Sequence, residues 1–485
     1  MRLHKLLLVG ILPSAFAYCP PPGPLLPPPD FHANSVLNPD QTDAIKQLNA
    51  SFSIRGSIGG EPAFEFDYTA ASHNVTITGN TMYRIASVTK VFTVLAVLLQ
   101  KEKMRMDDPI GKFVPELKGG MWDDVTVGAL CSQTAGLPKD LLNNTFVYPV
   151  NSRPAYSSPA YIILGFALEN ATGKPYNDVI RDLIIKPLGL NLTGFDTPTP
   201  DKDIALLGDP WSARDFGTYN ATAGLWSTPN SLLAFLNSIL QSKLLSPAQT
   251  RAWLKPHTFT STLTQAVGAP WEIMRPANLN LTYPRPIDLY TKMGSVPTYA
   301  AHAVLIPEYD LAISIMAAGS NSNEAVAKLI GMGVENLVPI ADQLARQQAA
   351  DKYVGTYVST NLTNNASLTI ALDDGPGLAI PEWKNQGKDM LDTFSQIASV
   401  ERENFGFRLY TMGLGDRWRV GFESVKNGAS FADMGCDSWL LVDSYRYGKQ
   451  PLDELEFRVK GGKVEGVWAP GLRLYLKKET RYGRI

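Results

Sequence analysis

The sequence predicts an antiparallel β-sheet flanked by helices, with an all-helical insertion, followed by a separate all-β domain. Three observations lead there. Short alternating runs near residues 50–70 and apolar runs near 290–318 both read as strands. Between them, from about 125 to 250, helical patterns dominate, punctuated by Gly and Pro. After about residue 350 short β runs alternate with Gly, Asn and Asp. Strands from both ends of a segment assemble one sheet, and the helices between them cover its faces.

The elements follow in chain order. Met1-Arg2-Leu3-His4-Lys5 precedes a short apolar run ending in Ala15-Phe16-Ala17, the pattern of a secretory signal peptide cut after Ala17. The run is far shorter than the roughly 20 residues a bilayer needs, and Pro13 interrupts it. Residues 18–44 form an arm, proline-rich to about residue 40, which excludes a helix there. Ser51–Ile54 and Ala63–Tyr68 have the period of two expected of strands. The segment from Ser87 through Leu99 is apolar almost all round, the mark of a buried helix. Ala300–Ile306 and Leu311–Ala317 are strands joined by a Pro307-Glu308-Tyr309-Asp310 turn. A helix over about 322–348 closes this domain of residues 45–348. Residues 349–485 read as an all-β, barrel-like domain, with strands at 353–357, 367–370, 407–410, 438–442, 455–459 and 472–476.

Composition narrows the function. The chain has 485 residues, 45% hydrophobic and 19% charged, with net charge -2 and no acidic or basic run. Neither nucleic acid nor an anionic membrane is an expected partner; a small-molecule substrate is. Nine N-x-S/T sequons, at Asn49, Asn74, Asn143, Asn170, Asn191, Asn220, Asn280, Asn361 and Asn365, fit a secreted glycoprotein. Cys19, Cys131 and Cys436 allow one disulfide and leave one thiol, with the pairing open. His4, His32, His73, His257 and His302 have no zinc-hydrolase spacing, so neither metal nor cofactor is expected. The chain also lacks a G-x-S-x-G nucleophile elbow and a C-x-x-C pair.

One constellation carries chemistry. Ser87 and Lys90 stand three residues apart at the start of an apolar helix. One helical turn puts them on the same face, where an amine can take the serine proton. Tyr156 precedes a helix start that Ser157 or Ser158 can cap, with Pro159 in its first turn. Lys292 occupies a strand just before Gly294. Singly, Tyr156 reads as a capping or core residue and Lys292 as an edge-strand lysine.

In this order and spacing the three sites resemble the serine β-lactamase and penicillin-recognising superfamily, in its class C β-lactamase, D-aminopeptidase and esterase branch. Ser87-Val88-Thr89-Lys90 matches S-x-x-K, Tyr156-Ser157-Ser158 stands for Y-x-N, and Lys292-Met293-Gly294 for K-T-G. The C-terminal β domain resembles the lipocalin-like appendage of secreted fungal members. The resemblance implies a β-lactamase/transpeptidase-like fold and Ser87 as nucleophile. Lys90 or Tyr156 serves as base, and the backbone N–H groups of Ser87 and Ser295 form the oxyanion hole. Gly294 is expected to let a substrate carbonyl approach its strand. Two positions depart from the pattern. Ser158 replaces an asparagine that binds the acyl side, and Met293 replaces a threonine that contacts a substrate carboxylate. Both make the pocket less polar, which favours an ester, lactone or amide of an apolar metabolite over a β-lactam. The expected function is a secreted serine hydrolase acting through a Ser87 acyl-enzyme. An acyltransferase with the same intermediate and a non-catalytic binding protein on the same fold are the alternatives.

Overall fold

Among the described residues, ten strands lie between residues 51 and 318: Ser51–Ile58 (β1), Glu61–Tyr68 (β2), Tyr83–Arg84 (β3), Trp226–Ser227 (β4), Thr258–Phe259 (β5), Gln265–Val267 (β6), Glu272–Met274 (β7), Leu289–Val296 (β8), Tyr299–Ile306 (β9) and Leu311–Ala318 (β10). This computed structural model describes residues 23–32, 43–73, 75–140, 146–198, 204–206, 208–276, 278–424 and 438–479. The expected signal peptide, Cys19, Asn74, Asn143 and Cys436 lie outside the described residues. The chain divides into two compact units, Pro29–Asp342 and Gln343–Ile485 with Met1–Pro28.

Eight of the strands make one antiparallel sheet in the order β2-β1-β10-β9-β8-β7-β6-β5. The N-terminal hairpin and the later strands meet where β1 pairs with β10, from Ser51 opposite Ala318 to Ile58 opposite Leu311. Both faces of β1 and β10 are buried, so β10 is an apolar run interrupted only by the buried Ser314 rather than an alternating one. On one face of β1, Ser57 bonds Asn237 at 2.8 Å and Arg55 bonds Asn230 at 3.2 Å, both on the helix Pro229–Leu240. On the other face the helix Ser322–Tyr353 comes so close that a Cβ at Gly56 would sit 2.9 Å from Leu337 Cδ1. That helix outruns its expected end near 348, because Ala345, Ala349 and Tyr353 continue the buried i, i+4 spacing.

The insertion supplies the helices Thr89–Leu99, Pro159–Thr172 and Pro229–Leu240. Residues 89–97 of the first are all buried, and Phe92 stacks on Phe235 with ring centroids 3.8 Å apart. The short ladder of β3 with β4 ties the chain before this helix to residues 226–227. Arg84 fastens the same junction. It is 1% exposed and donates to the carbonyls of Trp211, Ser212, Arg214 and Gly224, with its guanidinium 4.5 Å above the Trp226 ring. Arg84→Ala leaves those carbonyls without a donor, and each orphaned group costs about 1–3 kcal/mol. The expected loss is at least about 3 kcal/mol, read as a lower urea midpoint at unchanged slope.

In the second unit the strands Ser367–Ala371, Gly355–Ser359, Leu474–Lys478, Lys463–Ala469, Glu454–Lys460, Arg417–Ser424, Phe405–Leu414 and Leu378–Asn385 pair in that order. The last pairs back with the first, closing an eight-stranded barrel. Its interior is packed with rings: Trp418 lies 4.7 Å from Tyr353, and Phe394 stacks on Phe422 at 4.6 Å. The expected strand at 438–442 is instead a helical turn, Ser438–Leu441, with Trp439, Leu440 and Val442 exposed. An apolar run without alternation does not separate helix from strand. The expected strand at 353–357 begins only at Gly355, since Tyr353 ends the long helix. Leu25 and Leu26 of the proline-rich arm are buried, and the Leu25 carbonyl accepts from the Thr411 N–H.

Candidate active site

A 3₁₀ turn, Ala86–Val88, leads directly into the Thr89–Leu99 helix and places Ser87 at its entrance. Ala86 has φ +43°, a left-handed conformation unfavourable for a residue with a Cβ and typical of functional turns. Lys90, one turn on, is fully buried and brings Nζ to 3.0 Å from Ser87 Oγ. The same amine donates to the Thr222 carbonyl at 3.0 Å. Residues 222–225 form this wall of the site, because Ile85 N–H bonds Leu225 O and Leu225 N–H bonds Thr89 Oγ1.

Tyr156 closes the other side, with its hydroxyl 2.7 Å from Ser87 Oγ. Its position is set by Gln133, a residue the sequence did not single out. The Gln133 carbonyl accepts from Ala155 N–H and its side-chain oxygen from Ser157 N–H, both at 2.8 Å. Ser157 rather than Ser158 caps the following helix, taking Ala160 N–H at 3.2 Å. Ser158 Oγ has no partner among the described residues.

The third side is the outer edge of β8. Strand β7 pairs only as far as Thr291, so beyond it the edge of β8 has no strand neighbour on that side. Lys292 is 1% exposed, and its Nζ sits 5.2 Å from the centroid of the Tyr156 ring. Glu272 on β7, also missed by the sequence reading, holds this lysine. Its Oε1 lies 2.5 Å from Lys292 Nζ, and its Oε2 accepts Met293 N–H at 3.0 Å. Nothing in one-dimensional spacing announces a pair twenty residues apart. The Met293 N–H therefore points outward, and by the two-residue period of a strand the Ser295 N–H points to the same open edge. A Cβ at Gly294 would collide with the Ile85 carbonyl and lie 2.9 Å from Ser87 N. The close approach that requires this glycine is made by the protein's own Ser87 turn, a physical reason different from the expected approach of a substrate carbonyl.

Burial, then the charge of Lys292, push the Lys90 amine well below the ordinary lysine range, with Glu272 and Asp140 opposing. His302, opposite Met293 on β9, is pushed down to about 4 by burial and stays neutral at physiological pH. Cys131, the one cysteine within the described residues, is a free thiol, buried and held protonated by desolvation. No group of His, Cys, Asp and Glu among the described residues has the geometry of a metal site. A serine flanked by a buried amine and a tyrosine hydroxyl, beside a strand edge that presents a backbone N–H, has the parts for acyl transfer.

Residues 46–331 match the beta-lactamase family. The chain belongs to that family. Residues 345–480 match a second family, the "Beta-lactamase-like-like, C-terminal domain". Among relatives of this beta-lactamase family member is the beta-lactamase-like protein of Arthroderma benhamiae, 28% identical with 94% of this chain and 95% of that protein covered. The probable hydrolase M10 of a Phoma species is 26% identical over 84% of this chain and 80% of its own length. The class C beta-lactamase of Rhodobacter sphaeroides shares the fold, with a TM-score of 0.50, 18% identity, and 62% of this chain and 98% of that one covered. The chain is thus a member of the beta-lactamase-like serine hydrolase superfamily. Of the glycosylation sequons within the described residues, Asn49, Asn170, Asn191, Asn280, Asn361 and Asn365 are exposed and Asn220 is half-buried.

Proposed function

We propose that the protein is a secreted serine hydrolase that forms an acyl-enzyme on Ser87 and acts on an ester, lactone or amide of an apolar small molecule. The observation that carries this is the convergence of Lys90 Nζ and Tyr156 Oη on Ser87 Oγ, at 3.0 and 2.7 Å. Lys90, whose charged form is disfavoured by burial and then by Lys292, accepts the Ser87 proton as Oγ attacks the carbonyl carbon. The carbonyl oxygen becomes an oxyanion between the N–H groups of Ser87 and Ser295. As the C–O or C–N bond breaks, the proton passes from Lys90 by way of Tyr156 to the leaving group. Water then repeats the sequence on the acyl-enzyme and releases the acid.

The Lys292–Glu272 ion pair supports the substrate class. A lysine already neutralised by a carboxylate has less attraction left for a substrate carboxylate, and Met293 adds no hydroxyl to bind one. The test is intact mass after incubation with a fluorophosphonate, beside initial rates on p-nitrophenyl esters and a cephalosporin. One adduct on the native protein, none on Ser87→Ala, and faster ester than cephalosporin turnover are expected. The same mass shift on both proteins, or none on either, sinks the hydrolase reading, and cephalosporin turnover equal to or faster than ester turnover sinks the substrate class.

A further inference from the structure

A groove of about 510 Å³ runs along the outward face of the Pro159–Thr172 helix. Leu117, Ile162, Ile163, Phe166 and Tyr219 give it an apolar lining. Phe166 is 42% and Tyr219 39% exposed, so two aromatic faces stand open to water at a cost that a ligand would relieve. A second hollow of about 270 Å³ shares Ile162 and Phe166 and continues across the same helix.

Asp140 in the groove wall lies close enough to Lys90 to act on its charge. Pro159 is three residues beyond Tyr156, whose hydroxyl touches Ser87. Tyr219 is three residues before Thr222, whose carbonyl holds Lys90, and its hydroxyl bonds the Asp140 carbonyl at 3.4 Å. Charge gives the groove a sign. Glu116 and Asp140 line it and Glu169 lines its continuation, whereas among the described residues no lysine or arginine lines either. Aromatic faces beside carboxylates suit a cation with an apolar body and repel an anion.

We propose that this groove receives the remote part of the substrate, and that this part is an apolar chain or ring bearing a cationic nitrogen. The substrate role rests on the hydrolase reading of Ser87; the ligand chemistry of the groove does not. Such a ligand lays its carbon chain against Ile162 and Phe166 and sets its nitrogen near Glu116 and Asp140. The scissile carbonyl then lies at the Ser87 end.

Calorimetric titration of the full-length Ser87→Ala protein with n-octyltrimethylammonium and with octanoate tests the groove without turnover. The ammonium ion is expected to bind one-to-one and roughly tenfold tighter than octanoate. Glu116→Gln in the same background narrows that ratio severalfold, and Phe166→Ser weakens binding of the ammonium ion. Both side chains are exposed, and an unchanged melting temperature verifies that each variant is folded. Equal affinity for the two ions, or binding indifferent to Phe166→Ser, overturns the proposal. In the native enzyme, p-nitrophenyl 4-(trimethylammonio)butyrate is expected to exceed p-nitrophenyl butyrate roughly tenfold in kcat/KM. Turnover of both esters at one rate, with a flat titration, overturns the groove alone. Failure to turn over either ester, with no serine adduct, overturns the hydrolase reading and with it the substrate role.

Discussion

Lys90→Met is expected to lower kcat/KM by about 10³-fold while making the protein more stable at neutral pH. The first half follows from geometry. Lys90 Nζ is 3.0 Å from Ser87 Oγ, and methionine fills a similar volume without a base. Loss of a positioned general base costs about 10²–10⁴ in rate. The second half follows from linkage. The folded chain holds this amine well below its ordinary range, through burial and then Lys292, against the opposing pull of Glu272 and Asp140. Unfolded, the lysine titrates near about 10.4. Between the two values the unfolded chain binds the extra proton, so the stability of the native protein rises with pH across that window. Methionine removes the penalty, and its stability advantage at pH 7 shrinks as pH approaches the unfolded lysine value. In the native enzyme the acid limb of kcat/KM reports deprotonation of Lys90 and falls well below the usual lysine range. Rates within tenfold of native for Lys90→Met, or a melting temperature lower at pH 7 than the native one, would contradict this account.

Gly294→Ala is expected to cost 10²–10³-fold in kcat/KM, the range for losing one oxyanion donor. The added methyl meets the Ile85 carbonyl and lies 2.9 Å from Ser87 N and 3.0 Å from Val88 N. These contacts are backbone, so no flexible side chain can swing away. Either β8 or the Ser87 turn must withdraw, which separates the Ser87 and Ser295 N–H groups that must converge on one oxygen. The loss falls on kcat for acylation rather than on ground-state binding. The check is a single-turnover acylation rate with a p-nitrophenyl ester, where a rate within a factor of ten of native would refute the shared oxyanion hole.

Sheet and insertion were legible because both obey short-range rules. β9 and β10 are largely apolar runs bounded by a turn, and the Thr89–Leu99 helix is apolar almost all round. Ser87, Lys90, Tyr156 and Lys292 were legible as residue types at family spacings, and the structure brings these four together. Glu272 and Gln133 escaped because their roles exist only in three dimensions. Glu272 meets Lys292 through the pairing of β7 with β8, and Gln133 reaches forward to the backbone around Tyr156. Which serine caps the Pro159–Thr172 helix was likewise undecided, since the choice between Ser157 and Ser158 turns on a backbone angle. The turn at 438–441 was misread because its apolar side chains face outward, where no core enforces a period.

The pairing of β1 with β10 has a consequence for the making of the protein. On the ribosome β1 emerges about 250 residues before its partner, which at about 5–20 residues per second is a wait of roughly 13–50 s. Through that interval the nascent hairpin of β1 and β2 shows a naked β1 edge rich in Phe52, Ile54 and Ile58, a template for the wrong neighbour. The Ser87 turn is synthesised early, but the strand that carries Lys292 and Gly294 arrives only with β8. The candidate site is therefore completed only near the end of synthesis of this domain, and a chaperone that shields the waiting edge would govern the yield of folded protein.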